Sequence, residues 1–242
     1  MLLRRVLRDL IGSVLGRGSP DGGGPGLFAP WAVLAAVGGS VVVGVAGGAL
    51  LPAGTSGDLH AVAGLPPFRS VEIWDLGQPV DLNVHANLPQ RVTLDTPTEA
   101  GIRTEVRGET LVVSGTAVAP VTVAVALPTI QRLVLWGDTR ARVRAVHSQE
   151  LAVTLSDSAS IEAEGVVTRL ELVADAHGHA RLHALSADRA RVTASGSSRV
   201  DVQVQSALDA TVGDQAGVYY RGNPEVRQVL HRGGTVSALP GP

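Results

Sequence analysis

Three imidazoles fall within seven residues, in the run His177-Gly178-His179-Ala180-Arg181-Leu182-His183. Clustered histidines can hold zinc. On an extended strand, however, His179 and His183 share the outward side with Arg181 between them, and the run has no carboxylate. A guanidinium disfavours a neighbouring cation, so no metal or cofactor is expected. The second candidate set is the acids Asp138, Asp157, Asp175 and Asp214. Paired carboxylates carry acid–base chemistry on glycosidic bonds, and carboxylate ladders bind calcium. Here each acid sits in a small polar turn, where Asp is favoured for its own backbone hydrogen bonds. The Gly-Gly-x-Gly-x-Asp calcium repeat is absent. Catalytic residues are therefore expected to be none. The third set is aromatic. Beyond residue 51 only Phe68, Trp74, Trp136, Tyr219 and Tyr220 carry rings; Trp74, Trp136 and Tyr219 are the candidates for contact with a partner.

Absent residue types remove whole classes of chemistry. The chain has no Cys and no Lys. It can form no disulfide, thiolate nucleophile or iron–sulfur cluster. Nor can it form a Lys-containing phosphate loop, a Schiff base or a Ser-x-x-Lys site. A net charge of −2 gives no basic excess for a nucleic-acid partner. There is no Gly-x-Ser-x-Gly or His-Glu-x-x-His motif.

The elements that hold these residues are short strands. After residue 67 apolar residues alternate with polar ones, as in Val80/Leu82/Val84 and Val121/Val123/Val125. From Leu133 onward the pattern repeats. Leu133, Leu151, Leu170, Ala190, Leu208 and Val226 each open an alternating run that ends in a small polar corner. A second strand follows each corner, with inward residues aligned at Val143, Ile161, Ala180, Val200, Val218 and Val236. A period near 20 residues, with two strands and two corners, predicts a β-solenoid whose stacked coils share one core. The alignment predicts an outward column Arg144, Glu162, Arg181, Asp201 and Tyr219, largely of alternating charge, and a second column Glu164, His183, Gln203 and Arg221.

The N-terminal fifth reads differently. Leu27–Leu51 holds 25 residues without charge, roughly 37 Å as a helix, enough to cross a bilayer. Arg4, Arg5, Arg8 and Arg17 precede it, and the next Arg is Arg69. The positive-inside rule places the N-terminus in the cytoplasm. A cleavable signal remains open through Ala46-Gly47-Gly48. Ser40, Gly44 and Gly48 recur every fourth residue, a spacing that lets another helix approach closely. Apolar residues from Leu2 to Val14 recur at helical spacing with basic residues between them, predicting an interfacial helix on membrane lipid. The expected organisation is an amphipathic helix (1–17), a Gly/Pro hinge (18–26), a transmembrane helix (27–51), a stalk (52–67) and an all-β solenoid domain (68–239).

The closing run Gly217-Val218-Tyr219-Tyr220-Arg221-Gly222-Asn223-Pro224-Glu225-Val226 resembles the Tyr-x-Gly-x-Pro signature of the GIN head domain family, known as auto-transporter adhesin heads. Phe68-Arg69-Ser70-Val71, Leu127-Pro128-Thr129-Ile130 and Ser195-Gly196-Ser197-Ser198 also resemble its pattern. The resemblance implies a right-handed β-solenoid facing the extracytoplasmic side; with the N-terminal span, the expected location is a bacterial inner membrane. Together these features predict a non-catalytic, membrane-anchored scaffold that docks on other membrane-protein subunits. A surface adhesin or envelope-polymer binder is the alternative, and a polysaccharide-active enzyme stands third.

Overall fold

A computed structural model describes residues 36–37, 40–44, 59–96 and 101–240. The strands are β1 (Ala36–Val37), β2 (Ser40–Gly44), β3 (Leu59–Val62), β4 (Ser70–Ile73), β5 (Val80–His85), β6 (Arg91–Asp95), β7 (Gly101–Arg107), β8 (Thr110–Thr116), β9 (Val121–Ala126) and β10 (Arg132–Leu135). Four long strands follow: β11 (Thr139–Leu155), β12 (Ser160–Ala174), β13 (His179–Ala194) and β14 (Arg199–Val212). The last are β15 (Gly217–Arg221), β16 (Glu225–Leu230) and β17 (Thr235–Ala238). Among the described residues there is no helix.

The strands wind into a β-solenoid, as the alternation predicts. Each long strand is interrupted partway: β11 and β12 at the positive-φ residues Ala145 (φ 57°) and Gly165 (φ 135°), β13 and β14 at register shifts near Leu182–Ser186 and Ala187–Arg189. Its two halves thus serve two faces. The first face stacks β9, β5, the front halves of β11 to β14, β15 and β17, all in parallel. The second stacks β8, β4, β10, the rear halves of β11 to β14, and β16, also in parallel. Alternation drives the burial: Leu133, Leu135, Val153, Leu155, Leu170, Leu172 and Val192 are all buried, and the residues between them are not. Each such side chain contributes about 1.5–3 kcal/mol when taken from water. Among the described residues Phe68 is the one aromatic ring fully buried in this core, whose narrow coils are filled by Val, Leu, Ile and Ala.

The order of coils differs from the order of the chain. β8 and β9 form the lowest coil, yet they follow β4 and β5, which lie directly above them. The chain drops back to lay this coil, and then Leu127-Pro128-Thr129-Ile130 carries it up to β10, above β4. Antiparallel strands close the lower end. β7 pairs with β8 and β6 with β9, while β3 lies on β6. The stretch just before the domain is tied down as well: the Gln90 side chain accepts from the Phe68 N–H at 3.1 Å and donates to the Pro66 carbonyl at 2.9 Å.

One expectation needs correction. The first coil is 20 residues long, not 18: Ala141, not Val143, pairs with Ile161, so Arg142 rather than Arg144 stands beside Glu162. A slip of two residues keeps every side chain on its original face, and both Ala141 and Val143 are buried. Alternation therefore could not tell them apart. The transmembrane helix expected over Leu27–Leu51 is not supported by the described part of that run. Its described residues are not helical: β1 and β2 pair with each other, and β2 pairs antiparallel with β7. The β-branched Val41, Val42 and Val43 suit an extended strand, and the outer edge of β7 offers it unpaired backbone groups. Among the described residues no helix is long and apolar enough to cross a membrane. The rest of that run, the hinge and the 1–17 segment lie outside the described residues.

Candidate binding surface

Parallel stacking brings two of the expected contact residues together. Ile73 pairs with Leu135, so the residues that follow, Trp74 and Trp136, meet at neighbouring corners. Their rings pack edge to face, 5.0 Å apart at 65°. Both are half-buried. The Trp74 indole N–H is buried without a hydrogen-bond partner. The corner beneath them is tight. Asp75 accepts from the Gly77 N–H at 2.9 Å, and a Cβ on Gly137 (φ 74°) would lie 2.7 Å from the same carboxylate. Sequence spacing placed Trp136 at a corner, but pairing it with Trp74 required the out-of-order coil.

Tyr219 lies elsewhere, four coils up on the first face, roughly 19 Å at the usual strand spacing. It sits next to Asp201 in register, half-buried, with the Arg199 guanidinium 4.3 Å above its ring. Asp201 takes two hydrogen bonds from Arg199, at 3.2 and 3.3 Å, and these push the guanidinium pKa above its ordinary value. Tyr220 turns inward and packs on the core, as alternation predicts. Ser40 and Gly44 belong to β2 on the edge of β7. Gly48 lies outside the described residues.

The first face carries the column of charge, with Arg142 where Arg144 was expected. Arg181 donates to Glu162 at 2.8 Å, and Arg142 stands 4.0 Å from the same carboxylate. These pairs are exposed, so each contributes well under about 1 kcal/mol. In the second column, Glu164, His183, Gln203 and Arg221 all point away from the core. Bulges between β12, β13 and β14 interrupt its ladder.

His179 is half-buried on this face, and its Nε2 has no partner. Burial first, and the Arg181 charge second, hold its pKa below the ordinary imidazole value. His177 and His183 are exposed. Among the described residues no three His, Asp or Glu side chains converge. The corner acids do turn work. Asp157 and Asp214 adopt positive φ (63° and 59°), Asp214 accepts from the Gly196 N–H at 3.4 Å, and Asp138 pairs with Arg140 at 3.6 Å.

The concave surface lies along the second face, where sequence reading named inward residues but no contact candidate. Two adjoining hollows of about 750 and 640 Å³ share Glu109, Gln131 and Glu150. The second runs across several coils. Buried Leu151, Leu170 and Ala190 form its floor. One lip carries Glu150, Arg169 and Arg189. The other follows the register Arg132, Ala152, Glu171, Arg191, Asp209. Glu150 and Arg169 form an ion pair, and Arg189 pairs with Asp188 at 3.7 Å. Arg132, Glu171, Arg191 and Asp209 make no ion pair within 4 Å among the described residues. The groove thus offers unspent charge of both signs at coil spacing. The recurrence of Glu171, Arg191 and Asp209 once per coil, directly after Leu170, Ala190 and Leu208, could have revealed it in the sequence.

Comparison with known proteins follows from this geometry. Residues 68–224 match the family model described as "Putative auto-transporter adhesin, head GIN domain". The chain belongs to the GIN-domain family. Among solved structures, this GIN-domain chain is similar to an adhesin-designated protein from Bacteroides fragilis, at 15% identity and a TM-score of 0.60, covering 76% of this chain and 98% of that one. A protein from Parabacteroides distasonis described as lipid binding aligns at 13% identity and a TM-score of 0.47, over 76% and 96% of the two chains. An adhesin-designated protein from Parabacteroides merdae aligns at 12% identity and a TM-score of 0.42, over the same shares. The first likeness places the GIN domain on a known solenoid fold. No curated protein sequence matches the chain. The family and these structures are described as adhesins or a lipid-binding protein, none as an enzyme.

Proposed function

We propose that this GIN-domain protein is an adhesin-like binding module of the cell envelope, without chemistry of its own. Membership of an adhesin-head family over residues 68–224 carries the reading. The groove on the second face supplies a surface for it. Arg132, Arg191, Glu171 and Asp209 stand free at its lip, so the ligand that fits is extended and bears both amine or guanidine and carboxylate groups, as envelope peptides do. The test is co-sedimentation of the full chain, in detergent, with isolated cell-wall sacculi. Binding that falls several-fold in the Arg132→Ala/Arg191→Ala double variant, and falls with added salt, supports the reading. Retention unchanged by both treatments, or no retention at all, overturns it.

Localisation belongs to the same proposal. The uncharged run Leu27–Leu51, behind four arginines, favours a bacterial inner-membrane anchor with the solenoid outside. In a bilayer only a helix or a closed barrel satisfies the backbone. An anchored run therefore crosses as a helix and releases Ser40–Gly44 from β7, since the two arrangements exclude each other. The same run favours a second reading. Ser40, Gly44 and Gly48 would form a close-packing face of that helix, and the protein would act as a scaffold on a larger inner-membrane assembly. Co-migration with a membrane complex on native gels, lost in Gly44→Leu, distinguishes the scaffold from the free adhesin.

A further inference from the structure

The two ends of the stack differ. At the lower end, antiparallel β6 and β7 cover the first coil, with β3 on the edge of β6. At the upper end no described strand covers the last coil. Among the described strands β16 pairs with β14 alone, and β17 with β15 alone. Each presents one free parallel edge. Natural sheets guard such edges with inward charge, proline or bulges. The inward positions here are Val226, Gln228 and Leu230 on β16, in register with Leu208, Ala210 and Val212, and Val236 and Ala238 on β17, in register with Val218 and Tyr220. None is charged. Leu230 is 46% exposed, and its outward neighbour Val229 is 53% exposed. A terminal coil of a solenoid needs a polar cap, and this one has none among the described residues.

We infer that the upper end is an interface with a second copy of this chain, tip to tip. A two-fold axis through the corner 231–234 satisfies both free edges together: β16 of one copy pairs antiparallel with β17 of the other, and the reverse. Opposed residues in such a pair point to the same side. Leu230 then meets the partner's Val236 in the joined core, Gln228 meets the partner's Ala238, and Val229 meets the partner's Ser237 on the outside. The contact is isologous and closes at two copies. The lower end cannot substitute, because its antiparallel strands do not continue the coils. Arg232 falls beside the axis, so two guanidiniums approach each other there, and the association strengthens with salt. One coil end is smaller than a standard interface of about 1,600 Å², and the dimer is expected to dissociate on dilution. This inference does not depend on what the groove binds.

The test uses the full chain in detergent. It has no cysteine, so Val229→Cys and Ser237→Cys each carry a single thiol. A short bismaleimide should join the two variants when they are mixed and leave each nearly unlinked by itself. Sedimentation velocity should show a concentration-dependent dimer, weakened at least tenfold by Val229→Lys and tightened by Arg232→Ser. Val229 is already exposed, so its replacement leaves the monomer folded. A monomer at all concentrations overturns the inference. So does a dimer without the 229–237 link, which marks association through Leu27–Leu51 instead.

Discussion

Gly137 and Gly77 stand at one corner with the same positive φ, 74°, yet their surroundings differ. A Cβ on Gly77 meets nothing within 4 Å, whereas one on Gly137 strikes the Asp75 carboxylate that caps Gly77. Gly77→Ala should therefore cost only the conformational strain, about 1 kcal/mol. Gly137→Ala should cost about 2–3 kcal/mol, because the cap is displaced as well. Urea melts of the two variants check the difference. His179 sets a pH dependence. Its folded pKa lies below the ordinary value through burial and Arg181, so the unfolded chain takes up a proton first. Stability from this group is present above pH about 6.5 and is lost as pH falls through that value toward the folded pKa. His179→Gln should flatten the fall in urea midpoint between pH 7 and 5; an unchanged slope would show that other groups cause it.

At the scale of the strand, the stack of inward residues holds the fold and the outward ladders hold little. Leu172 is 1% exposed near the C-terminal end of β12. Leu172→Ala should cost about 2–5 kcal/mol. Its outward neighbour Glu171→Gln should stay within about 0.5 kcal/mol, and thermal melts of both variants check the contrast. Strand existence and facing were legible from alternation, since a buried face enforces period two. The partners Ile161, Ala180, Val200, Val218 and Val236 were placed correctly for that reason. The first coil was misplaced because Ala141 and Val143 are equally good inward residues. Facing is written in every residue of a strand, whereas register is written only where a corner fixes it. The groove escaped notice for a related cause: it needs two ladders from either side of one crease, and single-strand reading treats each ladder as a solvated face.

At the scale of the chain, repeats are legible only where they are laid in order. From β10 upward each coil follows the last, and the period is visible. Below β10 the coil of β8 and β9 sits under β4 and β5, and antiparallel β6 and β7 interrupt the spacing. Nothing in local propensity marks a descent. The upper coils should be separable from the rest. Energy in a repeat protein is nearly a sum over neighbours. Removing residues 217–242 should therefore leave a folded shorter stack, with the circular-dichroism signal reduced in proportion.

That descent bears on how the protein is made. A nascent chain leaving the ribosome delivers β4 and β5 first, and they have no neighbour below until residues 110–126 have emerged. Up to that moment the growing polypeptide holds two bare apolar strands and must keep them from aggregating. Once Ala126 is through, every later segment finds its template already waiting. Arrest of synthesis before residue 110 emerges should leave a protease-sensitive chain, and arrest after β11 emerges a resistant one.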